Sequence, residues 1–531
     1  MGRTEARTRG RVATDRIAKR GGHSIVARGG WLLLPALCAA GKLAAQCPDG
    51  TPPPCGARPA RLAAAPSPNS VAVLYFDNLS RDTSDAYLAE GLTDEVIVRL
   101  QQVRRLEVKS RFESRRVRGR QDAAPAALGR ELGARYLVDG TIQREGERLV
   151  VRVELTRADR GVGVWSQRFD KTSASVLDVI DDVARGVATG VAGELLPDEA
   201  ASLARRPTAD PAAYEHFVRG NVYLAQRTPA GFARAVDEYE AAYALDPRLT
   251  IAPGRVAYAY ALSIIYGFGD LATDSVWARG ARAVDRALRV APDVADTWLA
   301  VGFRRFALTA LKNADSLEAS VEALGRATEL DPSSAEAHHQ YAQGLEFEGR
   351  DSAAFAEYRR AMALEPGRAV TYQETGFLRL IEGRYAEAIA WCDSALAADP
   401  QHVRGYLVRG RARLLLGDPA GAERDAASAL AIGRGGDAVD AHALRVLILA
   451  WRGDTAAARR VAPASDLSGY FGLEWPIAIG QADVALDVIE RLTSRATRCY
   501  YLRRIPAVAA LRGQPRFERL AAGCPAPATA P

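Results

Sequence analysis

Residues 363–400, ALEPGRAVTYQETGFLRLIEGRYAEAIAWCDSALAADP, span one full period of a repeat. The period is bounded by two similar signatures, ALEP ending at Pro366 and AADP ending at Pro400, which lie 34 residues apart. The related signatures ALDP, RVAP and ELDP place earlier prolines at 247, 292 and 332, giving intervals of 45, 40 and 34. Because 34 residues is the length of a helix–turn–helix unit, the pattern predicts a stack of helix pairs.

Small residues at fixed distances before each proline strengthen this prediction. Small residues let two helices touch, a larger one fills the pocket beside them, and proline ends the second helix. Two alanines flank one larger residue in Ala235, Tyr239 and Ala242, in Ala354, Tyr358 and Ala361, and in Ala388, Cys392 and Ala395. The first helices have a matching small residue at Gly302, Ala342, Gly376 and Gly410. Cys392 occupies the larger-residue position, so we predict that it belongs to the core.

This pattern resembles the tetratricopeptide repeat family. The resemblance covers residues 210–460, with weaker helical pairs to about 520, and it is clearest over 335–434. We therefore expect an all-α tetratricopeptide-repeat solenoid over 208–520, followed by a disordered tail over 521–531. The resemblance implies that the first helices line a concave groove and that the groove binds a protein or an extended peptide.

Alignment of the first helices on their small residue predicts which side chains face that groove, with the spacing i, i+3, i+7. Relatives that bind a C-terminal carboxylate use lysines and asparagines there, and this chain has other residues. We expect Phe377 and Arg411 to be the main anchors, because aromatic and arginine side chains dominate interface energetics. The alternative is that Phe377 packs against the neighbouring helix. The predicted partner-binding residues are Phe303, Glu336, His339, Gln343, Gln373, Phe377, Arg404 and Arg411.

A different pattern precedes the repeats. The apolar run VAVLYF, residues 71–76, predicts a buried strand, and the segments after it predict the element order β-α-β-α-β-β-β-α. The closing helix is expected at about 174–196. We therefore predict an α/β domain with a mixed sheet over residues 70–197.

Several segments of this domain, VAVLYFDNLS, AEGLTDEVIVRL, LGRELGARYLVDGTIQREGERLVVRVEL and VWSQRFD, resemble the TolB amino-terminal-like domain of bacteria. In that family the domain often precedes tetratricopeptide repeats. In those relatives the TolB-like domain itself comes after a cyclase, a protein kinase or a winged-helix DNA-binding domain. Upstream of residue 70 we expect only a leader and a linker.

The residues that nucleotide chemistry or nucleophilic catalysis would need do not occur in the expected patterns. The turn after the first strand, DNLSRDTSD, has three aspartates and no glycine, so it would repel a phosphate. Neither GxxxxGK[ST] nor GxSxG occurs, and five of the six histidines fall in or beside repeat helices. We predict no enzyme activity, no catalytic residue, no cofactor and no metal site.

The basic charge of the chain is concentrated at its N-terminus. Residues 1–45 have nine basic and two acidic side chains, 9 − 2 = +7, whereas the whole chain is +6, so the rest sums to about −1. This distribution gives no reason to expect a nucleic-acid partner.

The apolar stretch GGWLLLPALCAAG, followed by KLAAQ, predicts a signal peptide cleaved after Ala45. A short membrane anchor is the alternative, and residues 46–69, rich in proline and alanine, are expected to form a linker.

The cysteines fit export to an oxidising compartment. Cys47 and Cys55 bracket the short loop CPDGTPPPC, and Cys499 and Cys524 lie together near the C-terminus, so each pair is a disulfide candidate. These features predict an exported, non-catalytic scaffold or adaptor in the periplasm or at the cell envelope, with inner-membrane anchoring as the alternative. A second functional hypothesis is a regulatory sensor that works with a separately encoded kinase, cyclase or transcription factor.

Overall fold

The structure is a computed structural model. It describes residues 66–81, 86–120, 123–172, 176–204, 206–226, 228–265, 274–312, 316–434, 436–463, 469–492 and 494–524. The predicted leader, the greater part of the linker, Cys47 and Cys55 lie outside these residues.

The N-terminal domain is a mixed sheet with helices packed on it. The predicted element order is present, with two short additions, β2 and α2. Strand β1 is parallel to β3 and β4, and β4, β5 and β6 are antiparallel, so the sheet order is β3-β1-β4-β5-β6, with β2 pairing to β4. The elements are β1 (Ser70–Val73), β2 (Asp77–Asn78), α1 (Ala86–Gln101), β3 (Glu107–Val108), α2 (Arg111–Arg115), α3 (Pro125–Leu132), β4 (Tyr136–Glu145), β5 (Arg148–Arg157), β6 (Val162–Thr172) and α4 (Val176–Ala192).

Helix α4 covers one face of this sheet because its apolar residues recur at helical spacing. Val176, Ile180, Val183 and Val187 are all buried in the domain core. Glycine is required where α4 crosses Trp165 of β6, since a Cβ at Gly186 would lie 2.4 Å from the indole ring. The tight crossing fixes α4 against β5 and β6.

Helices α6 to α19 form seven consecutive pairs in the described residues, after a short linking helix α5 (Pro197–Leu203). The pairs are α6 (Pro211–Ala225) with α7 (Pro229–Leu245), α8 (Ile251–Ile265) with α9 (Asp274–Val290), α10 (Ala295–Lys312) with α11 (Leu317–Leu330), α12 (Ala335–Glu348) with α13 (Asp351–Leu364), α14 (Ala369–Ile381) with α15 (Tyr385–Ala398), α16 (Val403–Leu415) with α17 (Pro419–Ile432), and α18 (Gly436–Trp451) with α19 (Thr455–Val461). The interval of 40 residues comes partly from a longer first helix, since α10 has 18 residues and α12 has 14. The interval of 45 residues contains α8, with 15 residues, and α9, with 17.

The predicted close contacts inside a pair are present in the third and fifth pairs. A Cβ at Gly376 would lie 2.7 Å from the Cys392 Sγ, and a Cβ at Gly302 would lie 2.5 Å from Leu324. Cys392 is a buried free thiol, so its assignment to the core is confirmed. Burial also raises the pKa of this thiol, which makes it an inert packing residue.

Replacing Ala388 by leucine should overpack the fifth helix pair. Ala388 is fully buried, and its carbonyl oxygen would lie 3.1 Å from a Cβ at Gly376. We expect Ala388→Leu to lower the free energy of unfolding by about 1–3 kcal/mol. Chemical denaturation measures the change, with Ala386→Leu, at an exposed position of the same helix, as the matched control. Equal stability of the two variants would show that the helix register is wrong.

The chain continues beyond the seventh pair and returns to the repeats. Its elements are α20 (Gly469–Ala478), α21 (Ala482–Arg491), α22 (Arg495–Arg504), a 3-10 helix (Pro506–Leu511) and α23 (Pro515–Ala521). A disulfide joins Cys499 of α22 to Cys524, with their Cα atoms 5.3 Å apart. This corrects the boundary of the predicted disordered tail, because the chain is ordered from 521 to Cys524. Residues 525–531 lie outside the described part.

Candidate functional site

The first helices of successive pairs pack side by side, and four of the predicted groove residues remain partly or fully accessible on them. Glu336, Gln343 and Phe377 are half-buried. The Arg404 side chain is 62% exposed, and its Nε lies 3.8 Å from Asp437 Oδ1 on the next first helix. We call the accessible face formed by Glu336, Gln343, Phe377 and Arg404 the first-helix surface.

The other four predicted groove residues are internal, which corrects the sequence-based expectation. Neighbouring first helices approach so closely that side chains at the middle of the stripe contact the adjacent helix instead of solvent. The ring of Phe303, for example, packs 5.7 Å from Tyr258 and 6.3 Å from Phe306, measured between centroids. The internal residues, with their exposed fractions, are Phe303 (3%), His339 (2%), Gln373 (2%) and Arg411 (7%).

Arg411, expected to be an exposed anchor, forms a buried ion pair. Its Nε donates to Glu474 Oε2 at 2.7 Å, and Glu474, on α20, is fully buried. Phe377 packs partly into the same region, against the apolar core of the last repeats. The alternative prediction for Phe377 was packing against a neighbouring helix, and part of its side chain lies there.

Polar side chains tie the first helices together beneath the first-helix surface. Tyr258 and Arg368 both donate to Glu336, which therefore links α8, α12 and the start of α14. His339 Nδ1 lies 3.2 Å from Thr371 Oγ1. Buried polar groups need such partners, so these contacts hold the first helices together.

Glu374 is a residue of this surface that the sequence analysis missed. Burial raises the pKa of its carboxyl group, although the neighbouring Arg404, Gln343 and Gln373 act in the opposite direction. An amide, an aromatic ring, a carboxyl group and a guanidinium group therefore lie close together. Such a mixed set can bind a peptide through hydrogen bonds and one apolar contact.

Helix α22 covers another part of the same helices. It packs against α10 and α12, near their C-terminal ends, where the ring of Tyr500 stacks on Phe347 at 4.0 Å between centroids. Phe347 and the neighbouring Glu346 continue the predicted stripe of α12 by one further turn. The repeat period could have identified these two residues, but it could not have identified what covers them.

The N-terminal domain contacts the repeats at two separate places. Arg144 donates to Glu215 of α6 at 3.1 Å, and Ser110 Oγ donates to the carbonyl oxygen of Pro366, between α13 and α14, at 2.6 Å. Arg111 also lies 3.7 Å from Glu365. The first-helix surface is therefore presented beside a second folded domain.

In the part of the chain that the structure describes, no cluster of three or more histidine, cysteine, aspartate or glutamate side chains could hold a metal ion. Within the same residues, none of the helices has the length and apolar character needed to span a bilayer.

Comparisons with known proteins give one partial relative. A protein of Rhizobium meliloti (strain 1021) named "Putative adenylate cyclase 3" is 31% identical over 212 residues, which are 39% of this chain and 35% of that protein. The chain thus spans about a third of the length of this curated relative. No protein-family model matches the chain.

Solved tetratricopeptide-repeat proteins are among the structures similar to this one. A tetratricopeptide repeat protein from Parabacteroides merdae ATCC 43184 aligns with a TM-score of 0.33 at 12% identity, over 53% of this chain and 98% of that one. PilW, a widely conserved type IV pilus biogenesis factor, aligns with a TM-score of 0.33 at 19% identity, over 39% of this chain and 90% of PilW.

Proposed function

We propose that this chain is a non-catalytic scaffold that binds a protein partner through the first-helix surface. The observation that carries the proposal is the exposed guanidinium of Arg404 beside Glu374 and the half-buried ring of Phe377, on a stack of helix pairs. An arginine and an aromatic ring are the side chains that most often dominate protein interfaces.

The partner segment that fits this surface is an extended peptide with an acidic residue near an apolar one. The acidic residue would pair with Arg404, and the apolar residue would cover the accessible part of Phe377. Gln343 can donate and accept hydrogen bonds, so it would contact the peptide backbone.

Reversing the charge at position 404 should reduce partner capture. The test is affinity capture with mass spectrometry after crosslinking in cells, comparing the wild-type chain with Arg404→Glu. The matched control is Arg424→Glu, at an exposed position of α17, the second helix of the same pair. We expect Arg404→Glu to deplete a specific set of proteins about ten-fold, while Arg424→Glu retains it and both variants melt at the wild-type temperature. Equal capture by both variants would refute binding at this surface.

A second candidate function is regulation of a separately encoded nucleotide cyclase. The partial relative named as an adenylate cyclase motivates this candidate. The match covers about a third of that protein, so we propose that the cyclase itself is a separate polypeptide. The N-terminal domain, which resembles the TolB amino-terminal-like domain, would then act as a regulatory module. The regulated protein could also be a separately encoded kinase or transcription factor. Recovery of a cyclase among the crosslinked proteins, with altered cyclic AMP in cells lacking this chain, would favour this candidate over a purely structural scaffold.

We further propose that the protein is exported and acts in the periplasm or at the cell envelope. The predicted signal peptide and the Cys499–Cys524 disulfide support export, since disulfides persist in oxidising compartments. Sequencing of the mature protein should find an N-terminus near Gln46. A cytosolic protein that retains Met1 and free thiols at Cys499 and Cys524 would refute export.

A further inference from the structure

Helix α22 departs from the contact pattern of a stacked repeat. In such stacks each repeat contacts its neighbours in sequence. Helix α22 instead contacts α10 and α12, and its hydrogen bonds join residues 188 and 154 positions apart. The segment therefore lies on these helices as a ligand would, although it belongs to the same chain.

One face of α22 makes these contacts, through Thr497, Tyr500 and Arg504 at the spacing i, i+3, i+7. The hydroxyl of Thr497 donates to the carbonyl oxygen of Thr309 in α10 at 2.9 Å. The hydroxyl of Tyr500 donates to Glu346 Oε1 in α12 at 3.0 Å. Both bonds are buried, so they distinguish a matching helix from a non-matching one.

Aromatic and charged contacts complete this interface. The rings of Tyr500 and Phe347 are nearly parallel, with an angle of 9° between their planes. Both terminal nitrogens of Arg504 donate to the carboxylate of Asp351, at 2.7 and 2.6 Å, which is a bidentate pair. Phe306 of α10 supports Phe347 from the other side, edge to face at 5.1 Å.

The fit of α22 is incomplete at one position. Nε and Nη2 of Arg503 are buried and have no hydrogen-bond partner among the described residues. Burial and the neighbouring Arg504 and Arg495 lower the pKa of this guanidinium, which means that its charge is disfavoured where it lies. A helix with an uncharged residue at this position would bury no unpaired charge and would bind more tightly.

We propose that Phe306, Glu346, Phe347 and Asp351 form a binding site for a partner helix that carries a tyrosine and an arginine four residues apart, and that α22 is its displaceable resident occupant. This inference goes beyond the proposed function, since it adds a second site whose partner is a helix. It places the partner at the ends of α10 and α12, away from Arg404.

The test uses the full chain and a synthetic peptide of residues 494–505 with Cys499→Ser. In the full chain, Tyr500→Ala with Arg504→Ala weakens the resident α22 and leaves the site residues unchanged. We expect the labelled peptide to bind this opened chain with a Kd of about 10 μM, and to bind the wild-type chain at least about ten-fold more weakly because α22 competes. A peptide that also carries Tyr500→Ala and Arg504→Ala is the matched control. Adding Phe347→Ala to the opened chain should abolish binding.

Amide hydrogen exchange of the wild-type chain provides a second measurement that needs no variant. Excess peptide should accelerate exchange in α22, because the resident helix is displaced, and should leave exchange in α17 unchanged. Three results would overturn the inference: no binding to a folded opened chain, unfolding of the opened chain, or unchanged exchange in α22 at saturating peptide. If one of these results occurs while partner capture still depends on Arg404, only this inference has failed and the proposed function stands.

Discussion

Arg411→Ala is expected to lower the free energy of unfolding by about 3–5 kcal/mol, because it leaves the carboxylate of Glu474 buried and unpaired. Arg411 and Glu474 are 7% and 0% exposed, so water cannot replace the lost partner. Urea denaturation followed by circular dichroism measures the loss. The pair joins α16 to α20, so the last helices should loosen first.

The matched control is Arg404→Ala, on the same helix at an exposed position, and it should cost less than about 0.5 kcal/mol. Replacing both members of the pair, with Arg411→Met and Glu474→Leu, should recover most of the loss because no charge is then buried alone. Equal, small losses for Arg411→Ala and Arg404→Ala would contradict the buried ion pair. They would indicate that the Arg411 side chain is accessible in the groove.

Glu346 should make the stability of the chain depend on pH. Burial raises the pKa of its carboxyl group to about 8, and the nearby carboxyl of Glu374 adds to the rise, while Arg504 and the hydroxyls of Tyr500 and Tyr358 oppose it. The folded chain therefore holds a proton between about pH 5 and pH 8 that the unfolded chain releases. The stabilisation from this proton is complete below the unfolded pKa and is lost as pH rises through the folded pKa.

The variant Glu346→Gln removes this titration. It keeps one acceptor oxygen, so one of the two hydroxyls that now donate to the two carboxylate oxygens, Tyr500 to Oε1 and Tyr358 to Oε2, loses its acceptor at every pH. Relative to the variant, the wild-type free energy of unfolding should fall between pH 5 and pH 8 by an amount on the order of 4 kcal/mol, from 1.36 kcal/mol for each pKa unit. Denaturation curves at several pH values give the difference. A difference between wild type and variant that is independent of pH would contradict the raised pKa.

The helix pairs could be predicted because their signal is local. A proline just after the second helix of a pair and glycine or alanine where two helices touch leave few alternatives, and Gly376 lies against Cys392 as that pattern requires. Each prediction needed only residues within one period. The order of elements along the N-terminal domain could be predicted for a similar reason, since alternating apolar residues and short turns determine β4, β5 and β6.

The burial of the groove residues could not be predicted in the same way. Burial of His339, Gln373 and Arg411 depends on how closely neighbouring first helices approach, and a single period does not determine that distance. The position of α22 depends on contacts between residues more than 150 positions apart, for which the repeat pattern has no signal. Arg411 in particular has the spacing of a groove residue, and only the position of Glu474 reveals its partner.

A photocrosslinking amino acid in place of Asp437, beside Arg404 on the first-helix surface, tests the central claim most directly. The replacement keeps Arg404 and Phe377 unchanged, and the same amino acid at position 424, on α17, is the control. Binding at the first-helix surface predicts a discrete crosslinked product in cells from position 437, lost when Arg404→Glu is added, and none from position 424. Equal products from both positions, or a product at 437 that persists with Arg404→Glu, would contradict the claim.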